Sequence, residues 1–368
     1  MHTQLIDNWD DFYQLGSEWN SLLISSEENV LFLTWEWISS WRSIKSAAVS
    51  PYAVVVRDNL GILIGIAPFY REELVLFNTI TYHTLRCMAD HATGAEYPNI
   101  IAAQGQSEKI KIAIFQFLLD RQKDWCCIWL SNLAGWTQSY QSLINTISTV
   151  DGLNFNVRDR DFSVTWLPDN FEMFKQSQSK NFRSNLRRTE NKIMKDGDVK
   201  ISQCNDKADL DYYLNTLFAL HSKHWEEKGE TGTFKRKPEL IEFYKNFTPL
   251  ALDNNWLRFY VLEVNGGPKA VQIGYVYNKI FHVIQEGFDT DYHNGVGNLL
   301  RLSVIENCIV EGITEYDFLA EFTEHKRRWS AVKRTGHDLF IWNNRLKNIF
   351  FKFSETWPTG RFLKSKSN

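Results

Sequence analysis

The sequence has few of the features that mark secreted, membrane-spanning or metal-binding proteins. Its start, Met1-His2-Thr3-Gln4-Leu5-Ile6-Asp7, lacks a basic segment followed by an apolar stretch, so we expect no signal peptide. No apolar run approaches the roughly 18–20 residues that a membrane-spanning helix needs. The cysteines have neither zinc nor redox spacing, and they are Cys87, Cys126, Cys127, Cys204 and Cys308. We therefore expect a cytoplasmic protein with buried free thiols, no metal and no membrane span.

An excess of either charge is also missing. The chain has 41 Lys and Arg residues against 44 Asp and Glu residues, which argues against a surface devoted to nucleic acid and predicts no DNA partner. A local basic patch remains compatible with this balance. With 368 residues and 43% hydrophobic residues, the chain is long enough for one very large domain or two domains of ordinary size.

Several catalytic signatures are absent. The sequence has no nucleophile-elbow pattern, which excludes the hydrolases that depend on one, and no cluster with metal-ligand spacing. Gly295-Val296-Gly297 lacks the third glycine of a dinucleotide-binding fingerprint, because position 300 is Leu300. A hairpin precedes this segment, whereas the dinucleotide fold requires a βαβ unit. We therefore exclude a dinucleotide-binding site.

The clearest positive signal is a predicted β-hairpin. Leu257–Val264 and Lys269–Tyr277 are apolar runs rich in β-branched residues, and Asn265-Gly266-Gly267-Pro268 joins them. An Asn-Gly pair between two such runs is typical of a tight hairpin turn.

A predicted anion site follows this hairpin. A third strand, Ile280–Phe288, leads to Gly295 and Gly297 and then to a helical pattern over Asn298–Glu311. The two glycines permit a tight turn with accessible main-chain N–H groups. The start of a helix adds unpaired N–H groups and the positive end of its dipole. This combination predicts a phosphate-bearing cofactor.

The order helix, hairpin, strand, helix, strand occurs twice, about two hundred residues apart. Two mixed α/β halves are the simplest architecture. Only the later half has a Gly-x-Gly turn before its helix. The early copy consists of helix Thr34–Ile44, strands Tyr52–Arg57 and Ile62–Tyr70, helix Ser107–Gln122 and strand Trp125–Leu130; the later copy adds helices Leu210–Glu226 and Pro238–Leu252 and strand Glu315–Leu319 to the segments above.

A basic helix is predicted between the halves, over Lys180–Lys195. Phe182, Leu186 and Ile193 form one apolar stripe. The remaining faces carry six basic residues against the single acid Glu190. Such a surface is either a solvated helix face or a contact for phosphate or an anionic polymer.

These segments together resemble the GNAT-fold acyltransferases, in particular their duplicated CelD-like branch and, more distantly, the Fem-type aminoacyltransferases. The resemblance rests on the order of four segments: Lys180-Asn181-Phe182-Arg183-Ser184-Asn185-Leu186-Arg187-Arg188, Leu220-His221-Ser222-Lys223-His224-Trp225, Gly287–Leu300 and Tyr316–Trp329. It implies an α/β (α+β mixed) fold of two tandem GNAT-like halves, each a mixed, largely antiparallel sheet flanked by helices. We expect the N-terminal half at residues 1–165 without a cofactor, a basic helical connector at 166–198, and the C-terminal half with the acyl-CoA site at 199–368.

The resemblance also implies where acetyl-CoA or another acyl-CoA binds. The family's diphosphate loop, Gln/Arg-x-x-Gly-x-Gly/Ala, maps onto Tyr292 through Gly297, with Tyr292 in the place of Gln or Arg. The implied cofactor-binding residues are Gly295, Val296, Gly297, Asn298 and Leu299. In this fold the strand before the loop diverges from the strand after the helix, and its free N–H groups polarise the thioester carbonyl.

Candidate catalytic residues lie near the ends of these two strands. Transfer to an amine needs a proton acceptor for the amine and an acid for the departing thiolate. Glu286 and Asp289 are candidate bases, Tyr292 and His325 are candidate acids, and Glu321 lies beside the same opening. The candidate substrate-binding residues are Arg183, Arg187, Lys326 and Trp225. For each, an ordinary structural role is the alternative.

Three functions remain compatible with the sequence. The first is an acyl-CoA-dependent N-acyltransferase that acts on an amine, with an amino sugar or another precursor of cell-envelope or polysaccharide biosynthesis as acceptor. The second is a Fem-type transferase that uses aminoacyl-tRNA, with Lys180–Lys195 in contact with RNA. The third is a non-catalytic module that binds glycans or proteins.

Overall fold

The computed structural model describes residues 1–46, 49–76, 80–89, 93–227, 229, 231–344 and 363–365. Its helices are α1 (Trp9–Gln14), α2 (Gly16–Ile24), α3 (Trp35–Ser43), α4 (Ser107–Asp120), α5 (Gln138–Thr149), α6 (Phe171–Ser177), α7 (Lys180–Ile193), α8 (Leu210–Glu227), α9 (Thr233–Arg236), α10 (Glu239–Asp253), α11 (Val296–Val310) and α12 (Glu324–Arg327). Its strands are β1 (His2–Ile6), β2 (Ser50–Pro51), β3 (Ala53–Arg57), β4 (Leu63–Ala67), β5 (Phe69–Leu76), β6 (Ile80–Cys87), β7 (Ile101–Ala102), β8 (Cys127–Leu133), β9 (Leu153–Trp166), β10 (Val199–Gln203), β11 (Leu257–Val264), β12 (Gly267–Tyr277), β13 (Ile280–Phe288), β14 (Glu315–Ala320), β15 (Val332–Asn343) and β16 (Leu363–Ser365). The predicted mixed α/β class is confirmed.

The chain divides into two compact units. The first consists of Met1–Arg160 with the C-terminal segment from Thr335, and the second consists of Asp161–Arg334. These bounds differ from the expected division into residues 1–165, 166–198 and 199–368. Residues 162–166 of β9 pair with β14 and therefore join the second unit, whereas residues 337–342 of β15 pair with β8 and therefore join the first.

The basic helix α7 is part of the second unit and not a separate connector. Leu186 and Ile193 are buried in the hydrophobic core of that unit. Phe182 packs edge to face against Trp329, with ring centroids 4.9 Å apart. The predicted apolar stripe is thus confirmed, and it fixes α7 against the core beside α11.

The first unit contains one sheet of order β1-β3-β4-β7 and a second sheet in which β15, β8, β6 and β5 are successive neighbours. Strands β6 and β8 are parallel, and α4 lies between them in the chain. Aromatic side chains of α3 fill the core, since Trp37, Ile38 and Trp41 are fully buried. Trp35 of the same helix is half-buried and packs against Trp19.

The second unit has one sheet of order β10-β11-β12-β13-β14-β9. All the neighbouring strands in it are antiparallel except β13 and β14, which α11 connects. Each unit therefore contains a parallel strand pair joined through a helix, and the expected duplicated plan is confirmed.

The predicted hairpin between β11 and β12 has the turn that its sequence favours. Asn265 and Gly266 both have positive φ angles, of 50° and 76°, which is the conformation of a two-residue type I′ turn. Because this turn is so short, Gly267 and Pro268 already pair with β11. Strand β12 therefore begins two residues before the predicted start at Lys269.

Strands β13 and β14 diverge soon after they begin. They pair only at Ile280–Glu315, Phe281–Tyr316 and His282–Asp317, whereas β13 remains paired with β12 as far as Phe288. A register shift between Ile273 and Gly274 accompanies the change. The edge of β13 that faces β14 is thus unpaired from Val283 onward in the described chain, as the resemblance implies.

Candidate active site

The turn before α11 requires glycine at two positions. Gly295 precedes the helix with a φ of 103°, a conformation that side chains with a Cβ rarely adopt. A Cβ at Gly297 would lie 3.3 Å from the ring of Phe288, so a side chain there would crowd that ring. Val296 and Leu299 are buried and hold the first helical turn against the core. Local geometry therefore accounts for both glycines.

This turn leaves main-chain donors unpaired. In the described part of the chain, the N–H groups of Asn294, Gly295 and Gly297 donate to no main-chain carbonyl. They lie where the partial positive charge of the helix dipole is concentrated. Such a group of donors stabilises an anion.

A groove of about 1040 Å³ lies between α7 and this turn. Its charged side chains are all basic among the described lining residues, namely Arg188, Lys192, Lys195 and Arg328, and His293 lies beside them. Thr189 of α7 approaches the turn so closely that a Cβ at Gly295 would be 3.2 Å from its hydroxyl oxygen. The groove therefore combines unpaired N–H groups with positively charged side chains.

One face of α7 supplies most of that charge. Asn185, Arg188, Thr189 and Lys192 line the groove at helical spacing. The predicted substrate residues Arg183 and Arg187 are exposed on α7 but do not line the groove. Sequence reasoning recognised the basic helix but not which of its faces borders the groove, because this depends on how the apolar stripe packs against α11.

Tyr292 and His293 both line the groove and share a hydrogen-bond partner. The Tyr292 hydroxyl donates to a carboxylate oxygen of Asp196 at 2.5 Å, and Nε2 of His293 lies 2.6 Å from the same oxygen. Partial burial and the Asp196 carboxylate raise the pKa of Tyr292 to about 12. Hydrogen bonding from Tyr292, and then from His293, lowers the pKa of Asp196. Tyr292, a candidate acid, is therefore a protonated donor that holds the loop.

Asp289, a candidate base, is held between two lysines. Its carboxylate lies 2.5 Å from Nζ of Lys223 and 2.8 Å from Nζ of Lys269. Burial by itself raises the pKa of Asp289, but the two lysine hydrogen bonds outweigh burial and bring it below its usual range. A carboxylate stabilised in this way is a weaker proton acceptor than a free one.

Glu286, the other candidate base on β13, is paired with the buried Arg301 of α11. Nε of Arg301 donates to Glu286 at 3.1 Å, and a terminal nitrogen of the same guanidinium forms an ion pair with it. The other terminal nitrogen lies 3.2 Å from Nε2 of His325. Burial, followed by the Arg301 charge, lowers the pKa of His325 to about 4, although part of the residue is exposed. His325, a candidate acid, is therefore neutral at physiological pH.

The remaining candidates occupy different surroundings. Glu321 follows β14, is exposed and has a φ of 72°; within the described residues its carboxylate has no hydrogen-bond or ion-pair partner. The ammonium of Lys326 donates to the carbonyls of Phe318, Ala320 and Glu321. These hydrogen bonds hold it at the end of β14. Trp225 is half-buried on α8 and donates to His221 at 3.0 Å.

Arg301 is the residue that sequence reasoning missed. It is 4% exposed on a helix whose neighbouring residues, Leu299, Leu300 and Leu302, are apolar. A single arginine among apolar helix residues could have indicated a buried ion pair, because a buried charge requires a partner. The partners come from β13 and from the segment after β14, which a sequence pattern does not identify.

The described residues have neither a metal-binding cluster nor a membrane-spanning helix. They contain no group of three or more His, Cys, Asp or Glu side chains arranged to hold a metal ion. None of their helices is long and apolar enough to cross a bilayer. All five cysteines are buried and free.

Part of the second unit is similar to a known protein family. Residues 180–327 match the family described as the acetyltransferase (GNAT) domain. The sequence has no significant match among curated proteins. The fold is similar to that of FemX, with a TM-score of 0.64 at 9% identity over 95% of this chain and 99% of that one. It is also similar to a conserved protein of unknown function from Bacteroides thetaiotaomicron, with a TM-score of 0.56 at 14% identity over 89% and 97% of the two chains.

The chain therefore has a GNAT fold, which it shares with FemX, and residues 180–327 of its second unit match the acetyltransferase (GNAT) domain. The matched residues include α7, β13, the glycine turn, α11 and β14. This match supports acyl transfer as the general activity.

Proposed function

We propose that this acyltransferase of GNAT fold moves an acyl group from acyl-CoA to an amine, and that its basic groove holds the CoA diphosphate. One observation carries the proposal: in the described chain, the N–H groups of Asn294 and Gly295 donate to no main-chain carbonyl, and both residues line a groove whose charged side chains are basic. A diphosphate matches this site in charge and in its need for several donors. Gly295 and Gly297 would hold it through the main chain, with Arg188 and Lys192 beside it.

The divergence of β13 and β14 provides a place for the thioester end of acyl-CoA. Acyl-CoA supplies an acyl group activated as a thioester. The edge of β13 beyond His282 has main-chain groups that β14 does not pair with. Fixed N–H donors of this kind stabilise negative charge that develops on the acyl oxygen.

We assign proton removal from the amine to Glu321. Two lysines lower the pKa of Asp289 and weaken it as a base, and the carboxylate of Glu286 is engaged in an ion pair with Arg301. Glu321 has no such partner in the described chain. As the nitrogen–carbon bond forms and the carbon–sulfur bond breaks, the amine proton passes to Glu321, directly or through water, and the thiolate leaves.

For the acceptor we propose the amine of an amino sugar or of another precursor of cell-envelope or polysaccharide biosynthesis. This assignment rests on the resemblance of the quoted segments to the duplicated CelD-like branch. The geometry of the groove supports the choice of acyl-CoA as acyl donor and gives no information on the acceptor.

An aminoacyl-tRNA-dependent transfer is a second candidate. One observation favours it: basic residues of α7 outside the groove, including Lys180, Arg183 and Arg187, are exposed. Such a surface suits a polyanion, and its binding would weaken steeply with salt.

Thermal unfolding with a panel of ligands separates these functions. CoA, acetyl-CoA and longer acyl-CoAs, each at about 100 times its dissociation constant, should stabilise the protein by roughly 2.7 kcal/mol. Bulk tRNA at matched phosphate concentration is the control and should bind weakly. Salt-sensitive binding of tRNA without any effect of CoA would support the second candidate. Absence of both effects would refute the two transferase assignments and leave a non-catalytic binding module.

A further inference from the structure

The Arg301 guanidinium occupies the space between the two diverging strands. It contacts Glu286, which is four residues beyond the last residue of β13 that pairs with β14. It also lies 5.5 Å from the ring centroid of Phe318, the first residue of β14 beyond that pairing. The ring of Trp329 is 5.3 Å away. Where main-chain pairing ends, a buried cation from α11 therefore links the side chains of the two strands.

The contact between Arg301 and His325 determines which imidazole nitrogen carries the proton. A guanidinium has only donors, so Nε2 of His325 must accept the hydrogen bond that joins them at 3.2 Å. A neutral ring that accepts through Nε2 carries its proton on Nδ1. Within the described residues Nδ1 has no hydrogen-bond partner, and part of the His325 side chain is exposed to solvent. The ring therefore presents an available N–H donor.

The surrounding charges keep the ring neutral. Arg301 faces it from α11, Lys326 and Arg328 from its own segment, and Glu286 from β13. Burial, and then the three cations, oppose protonation of the imidazole and outweigh the Glu286 carboxylate, which favours it. The pKa of His325 is accordingly lowered to about 4, so the N–H donor persists throughout the physiological pH range.

We infer that His325 acts in the proposed acyl transfer as a neutral hydrogen-bond donor through Nδ1, and that Arg301 is the positioning residue that fixes this tautomer. The inference rests on the proposed function. The Nδ1–H group donates to the acyl oxygen as negative charge develops on it during attack by the amine. No proton leaves the imidazole. The amine proton still goes to Glu321 and the thiolate still departs. His325 therefore stabilises the negative charge on the acyl oxygen without gaining or losing a proton.

Nitrogen NMR of histidine-labelled protein tests the tautomer without any ligand. We expect a protonated Nδ1 and an unprotonated Nε2 for His325 from pH 5 to pH 8, with signals assigned by their loss in His325→Ala. His282, whose Nδ1 lies 3.2 Å from a carboxylate oxygen of Asp317, provides an internal comparison. A proton on Nε2, or protonation of the ring with a midpoint near 6.5, would overturn the inference. Arg301→Lys, which keeps the charge, should preserve the tautomer, whereas Arg301→Met should yield a mixture if it folds.

Kinetics then test the role in the reaction. His325→Ala should lower kcat by roughly 100- to 1000-fold, the usual loss for one such donor, with the affinity for CoA unchanged. His325→Asn places an amide N–H near the position of Nδ1–H and should recover part of kcat, more than His325→Gln does. Equal activity of all three variants with the wild type would refute the role even if the tautomer is as expected. Failure of the wild type to bind CoA would instead refute the proposed function and leave the NMR result standing.

Discussion

Substitution of Gly295 by alanine tests the proposed diphosphate site most directly. At a φ of 103°, alanine costs about 1–2 kcal/mol in backbone strain, and its Cβ would lie 3.2 Å from the Thr189 hydroxyl. Relief of this strain moves the turn and its N–H groups. Each hydrogen bond to a phosphate that is lost costs about 1.5–3 kcal/mol. We therefore expect CoA to bind roughly 10- to 100-fold more weakly.

Gly312→Ala is a matched control at the opposite end of the same helix. Gly312 also has a positive φ, of 71°, and a Cβ there meets nothing within 4 Å. Its backbone cost is therefore similar, about 1 kcal/mol, but it lies at the end of α11 remote from the groove. Urea unfolding should show comparable losses of stability for both variants, and calorimetric titration should show weaker CoA binding for Gly295→Ala alone. Wild-type affinity in Gly295→Ala, or equal loss in both variants, would refute the assignment of the site.

Three further predictions follow from the site. Glu321→Gln should lower kcat by about 100- to 10,000-fold with unchanged CoA affinity; an unchanged kcat in steady-state assays would exclude Glu321 as the proton acceptor. Lys192→Ala should weaken CoA binding by about tenfold at low salt and reduce its salt dependence, whereas Lys200→Ala, on β10 outside the groove, should bind CoA as the wild type does. Asp289→Asn should cost about 1–2 kcal/mol near neutral pH because it breaks two charged hydrogen bonds. Since the folded-state pKa of Asp289 is lowered, this difference should vanish as the pH falls through that pKa; a difference that persists to pH 2 would contradict it.

The local elements of the second unit were predictable because their signals are contained in short segments. The Asn265-Gly266 pair specifies a tight turn wherever it joins two strands, and the structure has that turn. Strand β13 has the predicted bounds, Ile280–Phe288. Helix α11 begins at Val296, two residues before the expected start at Asn298, because the helix continues directly from the left-handed Gly295.

The unit boundaries were less predictable because they depend on pairing between distant segments. Residues 162–166 join a strand about 150 positions later, at 315–320, and residues 337–342 pair with β8. A β-strand carries no local mark of its partner, because main-chain hydrogen bonds are alike for all sequences. The expected break at residue 165 therefore follows the order of elements, whereas the actual units follow sheet pairing.

The candidate bases illustrate the same limit at the site. Glu286 and Asp289 were selected because a carboxylate at the end of β13 is well placed for proton transfer. Their roles are decided by Arg301, Lys223 and Lys269, which arrive from α11, α8 and β12. Charge pairing between elements, and not position along a strand, determines which carboxylates remain available as bases.

The sequence by itself determined the turn before α11, since Gly295 takes a positive φ that favours glycine and a Cβ at Gly297 would crowd the Phe288 ring. It also determined the apolar stripe and the basic character of α7. Only the tertiary structure decided that Lys192 and Arg188 face that turn and that Arg301 lies between the diverging strands. The physical reason is the distance along the chain over which each interaction acts. Backbone conformation and amphipathic spacing depend on neighbours within a few residues, whereas electrostatic partners are brought together by the packing of the whole unit.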